Sequence, residues 1–218
     1  MVANGLFRKY GRPNPGADTD RNKEDLSWCI GNRCRKLPGL HVGRTGLTQQ
    51  QAEAAGYEVV TVLVPTDDKA HYYPGAGFFI TKLIAEKETH KLLGVQVLGT
   101  GAVDKMVDIA VMGLNMGAVL EDFENADFAY APPFSTAIHP FVQAVHVLLN
   151  KINGALVSMT PAEYAAGKAK GYKVIDAGLV PSIHGDPLCR PFCGCREKSK
   201  GWIKKKNCFW VCAKGKRA

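Results

Sequence analysis

The chain has 218 residues, of which 46% are hydrophobic and 22% charged, a composition that suits a globular protein and excludes wholesale disorder. Its formal net charge is +8, but residues 45–154 carry −6, whereas residues 1–44 carry +5 and residues 155–218 carry +9. Because the excess positive charge lies in poorly patterned flanks, we do not expect nucleic acid as a partner. No apolar run reaches the length of a membrane span and no export signal is readable, so a cytoplasmic location is expected.

The N-terminal flank, residues 1–40, keeps neither a two-residue nor a 3.6-residue period and is predicted to be irregular or disordered. Order is expected to begin near His41. Thr48, with Gln51 in the capping-box position, predicts a short helix that Gly56 ends.

Three strands are predicted next, over residues 57–65, 77–85 and 91–98, because these segments are rich in β-branched and apolar residues. The polar segment 86–90 predicts a tight antiparallel connection between the second and third strands. Residues 102–112 then predict an amphipathic helix with one apolar stripe. Its members are Val103, Met106, Val107 and Ala110.

A later helix is predicted to start at His139-Pro140, because proline suits the first helical position. We interpret His139 as a residue that starts this helix rather than as an acid-base catalyst. Its buried stripe is predicted to contain Phe141, Val145, Leu148, Leu149 and Ile152. Since strands run together and helices run together, the predicted class is α+β, an antiparallel sheet with helices on one face.

A second unit is predicted after residue 156. Thr160 with Glu163 predicts a helix start, and residues 172–176 and 208–211 predict two short strands. The domain boundaries are therefore set at 1–40, 41–156 and 157–218.

The segment Leu98-Gly99-Thr100-Gly101-Ala102 joins a strand to a helix through glycines, the context of a dinucleotide fingerprint. Position 104, where the third glycine belongs, is Asp. We therefore interpret the segment as a glycine turn between a strand and a helix rather than a phosphate site.

Three motifs in the middle of the chain carry a family resemblance. They are Val42-Gly43-Arg44-Thr45-Gly46-Leu47, His71-Tyr72-Tyr73-Pro74-Gly75-Ala76 and the proline-rich segment of residues 127–140. Together, residues 41–156 resemble the dimerisation domain of the coenzyme A-disulfide reductase and NADH oxidase branch of the pyridine nucleotide-disulfide oxidoreductases, which are flavoproteins. The resemblance implies a homodimer.

The same resemblance implies roles for particular residues. The proline-rich loop of that family reaches the flavin and thiol site of the opposite subunit, which implies that Pro132, Pro133 and Phe134 contact FAD there. Tyr72 and Tyr130 are expected to assist reduction of coenzyme A disulfide, although Tyr73 also matches and we choose Tyr72. The alternative from the residues alone is that both tyrosines pack with their hydroxyls satisfied.

A cysteine after the last predicted strand carries a second resemblance. The segment Val211-Cys212-Ala213-Lys214-Gly215-Lys216-Arg217 is similar to the active-site loop of rhodanese domains, in which backbone N–H groups cradle a persulfide. Residues 157–218 are therefore interpreted as a partial rhodanese-like segment with Cys212 as the sulfur carrier. Cys189, Cys193 and Cys195 lack a paired C-x-x-C, so we expect a reactive thiol cluster rather than a metal site.

The family enzyme moves electrons from NAD(P)H through FAD to a coenzyme A disulfide or persulfide, and this chain shows no FAD or NAD domain. We therefore expect a truncated or frame-disrupted product that binds no cofactor and is inactive alone. Two alternatives stay open. One is a stand-alone dimeric interaction protein, and the other is a sulfurtransferase-like module that uses Cys212.

Overall fold

The structure, a computed structural model, describes residues 31–176, 186–187 and 208–211. Its main element is a five-stranded sheet with the strand order β1-β2-β5-β4-β3, in which every neighbouring pair is antiparallel. The strands are β1 (Arg33–Leu37), β2 (Leu40–Gly46), β3 (Val59–Asp67), β4 (Phe78–Glu86) and β5 (Leu92–Gly99).

The three predicted strands correspond to β3, β4 and β5, each displaced by one or two residues toward the C-terminus. The predicted tight connection between β4 and β5 is confirmed, with a backbone hydrogen bond from Glu86 N–H to the Lys91 carbonyl of 3.0 Å. Pro65 lies inside β3, which is an edge strand of the sheet. That position suits proline, because an edge strand leaves one side of its backbone unpaired.

The prediction that residues 1–40 are irregular is wrong for residues 33–40. Strand β1 forms a hairpin with β2 through Pro38 and Gly39, and Gly39 has the positive φ of 68° that such a turn requires. All five side chains of β1 are exposed, so buried and exposed positions do not alternate along this strand. Its backbone pairing with β2, rather than burial, holds it in the sheet. Residues 1–30 lie outside the described residues.

The described residues contain five helices, of which four begin where the sequence predicted a helix and one was not predicted. They are α1 (Gln49–Ala54), α2 (Val103–Met116), α3 (Glu121–Glu124), α4 (Pro140–Ile152) and α5 (Pro161–Ala165). The capping boxes at Thr48 and Thr160 are both present. Helix α2 runs one turn beyond the predicted end at residue 112 and stops at Gly117. Helix α3 was not predicted, because its four residues include three acidic ones.

Helices α2 and α4 cover one face of the sheet and bury the predicted stripes. On this face, Leu83 of β4 and Val95 of β5 are completely buried, as are Ala110 and Leu148 of the two helices. The expectation that helices lie on one face only needs correction, because α1 packs on the opposite face. There, Ala52 forms a small cluster with Ile84 and Leu93.

A separate three-stranded parallel sheet has the order β7-β6-β8, formed by β6 (Lys173–Asp176), β7 (Asp186–Pro187) and β8 (Cys208–Val211). The predicted strands at 172–176 and 208–211 are thereby confirmed. Cys212 and the trio Cys189, Cys193 and Cys195 lie outside the described residues. Within the part of the chain that the structure describes, no helix is long and apolar enough to cross a membrane.

Candidate functional site

The loop that carries Tyr72 leaves the sheet at the end where β3 stops and β4 starts. Asp67 pairs with Phe78 in this register, and Phe79 pairs with Gly99, the last residue of β5. The end of β3, the start of β4, the end of β5 and the start of α2 therefore lie at one end of the domain, called here the tyrosine end.

Residues 68–77 form an ordered connection rather than a loose loop. Asp68 N–H donates to the Gly77 carbonyl at 3.2 Å, and Gly77 N–H donates to Asp68 Oδ1 at 2.6 Å. Inside this clasp, Tyr73 N–H donates to the Ala70 carbonyl at 2.9 Å. The clasp fixes where the Tyr72 backbone lies relative to the sheet.

The glycine turn at residues 99–101 supports this connection from beside it. A methyl group placed on Gly77 would lie 2.0 Å from Thr100 Oγ1, and one placed on Gly101 would lie 2.8 Å from Asp68 Oδ2. Thr100 Oγ1 also accepts a hydrogen bond from Phe78 N–H at 3.3 Å. A side chain at either glycine would meet the Thr100 or Asp68 side chain, which agrees with the interpretation as a tightly packed turn.

The same geometry tests whether the turn fits the pyrophosphate of FAD or NAD(P)H. A dinucleotide-binding turn needs open space beside its glycines and no negative charge there. At Gly101 the space is filled by the Asp68 carboxylate, which repels an anion. The turn therefore does not fit either cofactor.

The second predicted loop connects α3 to α4 and carries Tyr130. Phe134 N–H and Ser135 N–H both donate to the Ala131 carbonyl, at 2.9 and 3.2 Å. At its far end, Gln143 of α4 donates through Nε2 to Thr136 Oγ1 at 3.0 Å and to the Ile138 carbonyl at 2.7 Å. The loop is thus tied down on both sides of its proline-rich tip.

His139 caps helix α4, as the sequence analysis predicted. Its Nδ1 accepts a hydrogen bond from Phe141 N–H at 3.2 Å, and its ring lies 4.8 Å from that of Phe128. Burial, together with the positive charge of the nearby Lys105, lowers the pKa of His139 to about 4. The imidazole is therefore neutral at physiological pH and serves as an acceptor, which is a structural role.

Both loops lie at the tyrosine end. Lys151, in the last turn of α4, donates to the Thr61 carbonyl near the start of β3 at 3.0 Å. Helix α4 therefore runs opposite to β3, and its N-terminus points toward the end of β3. The proximity of His139 to Lys105, in the first turn of α2, gives the same placement independently.

The predicted site residues are largely exposed. The exposed fraction is 69% for Tyr72, 50% for Tyr130 and 74% for Phe134, while Pro132 and Pro133 are half-buried. Within residues 31–172, neither tyrosine hydroxyl has a hydrogen-bond partner. Among the described residues, neither Tyr72 nor Tyr130 is therefore packed in the core, and their role stays a prediction.

The sequence analysis did not identify the sheet face opposite α2 and α4. Away from α1, this open face has a shallow concavity of about 490 Å³ lined by residues of all five strands. A signal for this face in the sequence is that side chains in β2 and β5 alternate between the two faces of the sheet. The sequence analysis could not use this signal, because β1 and β2 were not predicted as strands.

Comparison with known proteins finds similarity in the central region of the chain. Residues 38–141 match the family described as pyridine nucleotide-disulphide oxidoreductase, dimerisation domain. The NAD(P)H sulfur oxidoreductase (CoA-dependent) of Pyrococcus furiosus is 35% identical over 119 residues, covering 55% of this chain and 27% of that enzyme. The NAD(P)H coenzyme A polysulfide/persulfide reductase of Pyrococcus horikoshii is also 35% identical over 119 residues, covering 55% and 26%. This chain spans about a quarter of the length of these curated relatives.

Two solved structures extend the likeness. An NAD-dependent persulfide reductase from A. fulgidus superposes with a TM-score of 0.76 at 29% identity, covering 86% of this chain and 35% of that one. The reduced Bacillus anthracis CoADR-RHD gives a TM-score of 0.76 at 25% identity, covering 86% and 34%. Residues 38–141 are therefore similar to the dimerisation domain of the pyridine nucleotide-disulphide oxidoreductases.

Proposed function

We propose that residues 41–156 are the dimerisation portion of an FAD-dependent NAD(P)H:disulfide oxidoreductase that acts as a homodimer on coenzyme A disulfide or persulfide. The relatives named as CoA-dependent sulfur and persulfide reductases support this substrate class. We assign the FAD and NAD(P)H chemistry to the part of such a subunit that this chain does not match. By itself the chain binds neither cofactor and has no NAD(P)H-dependent reductase activity.

One observation carries the proposal: two separately anchored loops present exposed tyrosines at the same end of the domain. In the homodimer, Tyr72 and Tyr130 face the thiol site of the partner subunit, and Pro132, Pro133 and Phe134 supply apolar contact beside its flavin. A phenol, with a usual pKa of about 10, is a weaker acid than a thiol, at about 8.5. The tyrosines therefore donate hydrogen bonds that stabilise the departing thiolate without giving up their protons.

A hybrid subunit tests these roles. Residues 41–156 replace the matched segment of the Pyrococcus furiosus enzyme, and CoA-dependent NADH oxidation is measured. We expect Tyr72→Phe and Tyr130→Phe each to lower kcat by about 10- to 100-fold, because a hydrogen bond to a charged group contributes about 1.5–3 kcal/mol. Tyr73→Phe is the matched control, since Tyr73 is also exposed, and its kcat should change less than about twofold. Unchanged kcat in Tyr72→Phe and Tyr130→Phe contradicts the proposed roles.

A second candidate function concerns residues 157–218. We propose a rhodanese-like sulfurtransferase unit in which Cys212 follows β8 as the sulfur carrier. The parallel sheet and the 86% coverage by two solved structures, which reaches well beyond residues 38–141, support it. The test is thiosulfate sulfurtransferase activity of the full chain. Turnover that disappears in Cys212→Ser supports the proposal, and no turnover in the unsubstituted chain contradicts it.

A further inference from the structure

The outer edge of strand β1 is open to pairing with a further strand. β1 is the outermost strand of the five-stranded sheet, and among the described residues it pairs with β2 alone. It contains neither a proline nor a shift of register, and all its side chains are exposed. A regular edge strand of this kind pairs readily with another extended segment. The opposite edge, β3, differs because it contains Pro65.

The turn between β1 and β2 determines which backbone groups face this edge. A two-residue hairpin closes on two residues that bond to each other, and bonded pairs then alternate along the strands. At Pro38-Gly39 the closing residues are Leu37 and Leu40. Every second residue of β1 therefore directs its N–H and C=O groups away from β2. These residues are Cys34 and Lys36.

The backbone before β1 has the geometry of a second turn of the same kind. Asn32 continues the pairing with β2, because its side-chain Oδ1 accepts a hydrogen bond from Thr45 Oγ1 at 2.6 Å. Gly31 has a φ of 69°, against 68° for Gly39. A two-residue turn whose second residue is glycine requires such a φ. Since Asn32 alternates with β1 in the same phase as Cys34, a turn that ends at Gly31 closes at the outer edge.

The sequence before this turn alternates as a strand does. Residues 24–29, which lie outside the described residues, read Glu-Asp-Leu-Ser-Trp-Cys, so that apolar Leu26 and Trp28 alternate with smaller residues. The segment carries two carboxylates and no cation, whereas β1 carries three cations. It is therefore complementary to β1 in charge.

We propose that residues 24–29 form a sixth strand, antiparallel to β1 and joined to it by the two-residue turn of Ile30 and Gly31. This inference is independent of the proposed function. The register that the turn sets places Asp25 opposite Lys36, Ser27 opposite Cys34, Leu26 opposite Arg35 and Trp28 opposite Arg33. Opposite charges and a cation beside an aromatic ring both stabilise such cross-strand pairs. The added strand closes the edge of the sheet to other chains.

A second copy of this chain is a poorer occupant of the same edge. When β1 pairs with itself about a two-fold axis, a register centred on Arg35 places two Arg35 side chains opposite each other. A register centred on Lys36 does the same for Lys36, and one centred on Cys34 places Arg33 opposite Arg35. Like charges directly opposite destabilise a strand pair.

Amide hydrogen exchange of the full chain, followed by NMR, tests whether the edge is paired. We expect the N–H groups of Cys34 and Lys36 to exchange at least about tenfold faster in Gly31→Val than in wild type, because a β-branched residue does not adopt this φ. Arg35 is the internal control, since its N–H bonds to β2, and its exchange should change less than about twofold. Unchanged exchange of Cys34 and Lys36 overturns the proposal. Protection that rises with protein concentration also overturns it, because it indicates a second copy.

A cross-link tests the register and decides if Arg35 also exchanges faster. In a chain whose other cysteines are replaced by serine, Ser27→Cys places a thiol opposite Cys34, with Cα atoms about 4.5–5.5 Å apart, within the range of a disulfide. Leu26→Cys is the matched control, because its side chain lies on the other face. Oxidised glutathione is the oxidant, and each disulfide formed releases two molecules of reduced glutathione. The reaction is run at alkaline pH, because burial and the nearby Asp104 and Asp108 raise the pKa of the Cys34 thiol.

We expect the disulfide to form at least about tenfold faster in Ser27→Cys than in Leu26→Cys, measured by peptide mass spectrometry. Equal rates overturn the proposal, because an unpaired segment brings both positions to Cys34 alike. Faster formation in Leu26→Cys overturns it too, because that result places the wrong face of the segment beside Cys34.

Discussion

At the scale of single residues, the packing at the tyrosine end requires that Gly77 lies close to the side chain of Thr100. A methyl group on Gly77 would lie 2.0 Å from Thr100 Oγ1, which requires the Thr100 side chain or the backbone beside it to shift. We expect Gly77→Ala to lower the free energy of unfolding by about 1–3 kcal/mol, the usual effect of overpacking, measured by urea denaturation. In the Gly77→Ala/Thr100→Ala double variant the clash with Oγ1 is gone, so the two effects should not add. Strict additivity would contradict the packing argument.

His139 gives the domain a pH-dependent stability. Its pKa falls from the usual 6.5 to about 4 because burial disfavours the imidazolium. The unfolded chain therefore binds a proton that the folded chain does not between these two pH values. The stabilisation is complete above pH 6.5 and is lost as the pH falls toward 4, by on the order of 2–3 kcal/mol.

A comparison of wild type with His139→Asn isolates this effect, because asparagine also caps helices but does not titrate. We expect the difference in unfolding free energy between the two proteins to change by on the order of 2–3 kcal/mol from pH 7 to pH 4.5, against the wild type. Parallel pH profiles for the two proteins would show that the buried imidazole is not the titrating group.

At the scale of elements, sequence signals predicted the helices and strands that are stabilised by interactions between residues close in the chain. The capping boxes at Thr48 and Thr160 and the apolar stripes of α2 and α4 were readable because each is encoded within one turn or one face. Strand β1 was not readable, since its exposed residues carry no pattern and its position depends on pairing with β2. The open face was not predicted either, because it is formed by residues of several strands that come together only in the folded sheet.

The loop that carries Tyr130 is an element whose order depends on α4. Gln143 Nε2 donates to both Thr136 and the Ile138 carbonyl. In Gln143→Met these two bonds are lost while the side-chain volume is kept, and each neutral bond contributes about 0.5–1.5 kcal/mol. The two bonds together contribute about 1–3 kcal/mol, so we expect amide hydrogen exchange in residues 134–138 to accelerate by about 5- to 150-fold, with the exchange of β4 and β5 unchanged. Acceleration throughout the sheet would indicate global destabilisation instead.

At the scale of the whole molecule, the candidate site was only partly accessible to sequence reasoning. Tyr72 and Tyr130 lie 58 positions apart in the chain, and it was the family resemblance, not any periodicity, that paired them. The structure adds the physical reason: β3, β4 and α4 bring both loops to one end, and each loop is anchored on its own. The roles of Pro132, Pro133 and Phe134 toward a flavin, and of Cys212, stay predictions.

The exposed position of Phe134 at the tyrosine end leads to a prediction about how the homodimer forms. If the homodimer forms through the tyrosine end, the exposed ring of Phe134 becomes buried against the partner, and a carboxylate there must be desolvated. Phe134→Asp should therefore raise the dimer dissociation constant at least tenfold, measured by sedimentation equilibrium, since a buried aromatic anchor carries about 2 kcal/mol or more.

Met116→Asp is the matched control: Met116 is 77% exposed, on α2, against 74% for Phe134. Because Met116 ends α2 far from the start of that helix at the tyrosine end, its substitution should leave the dimer intact. If Met116→Asp dissociates the dimer and Phe134→Asp does not, the dimer interface lies on the face that α2 and α4 cover and not at the tyrosine end.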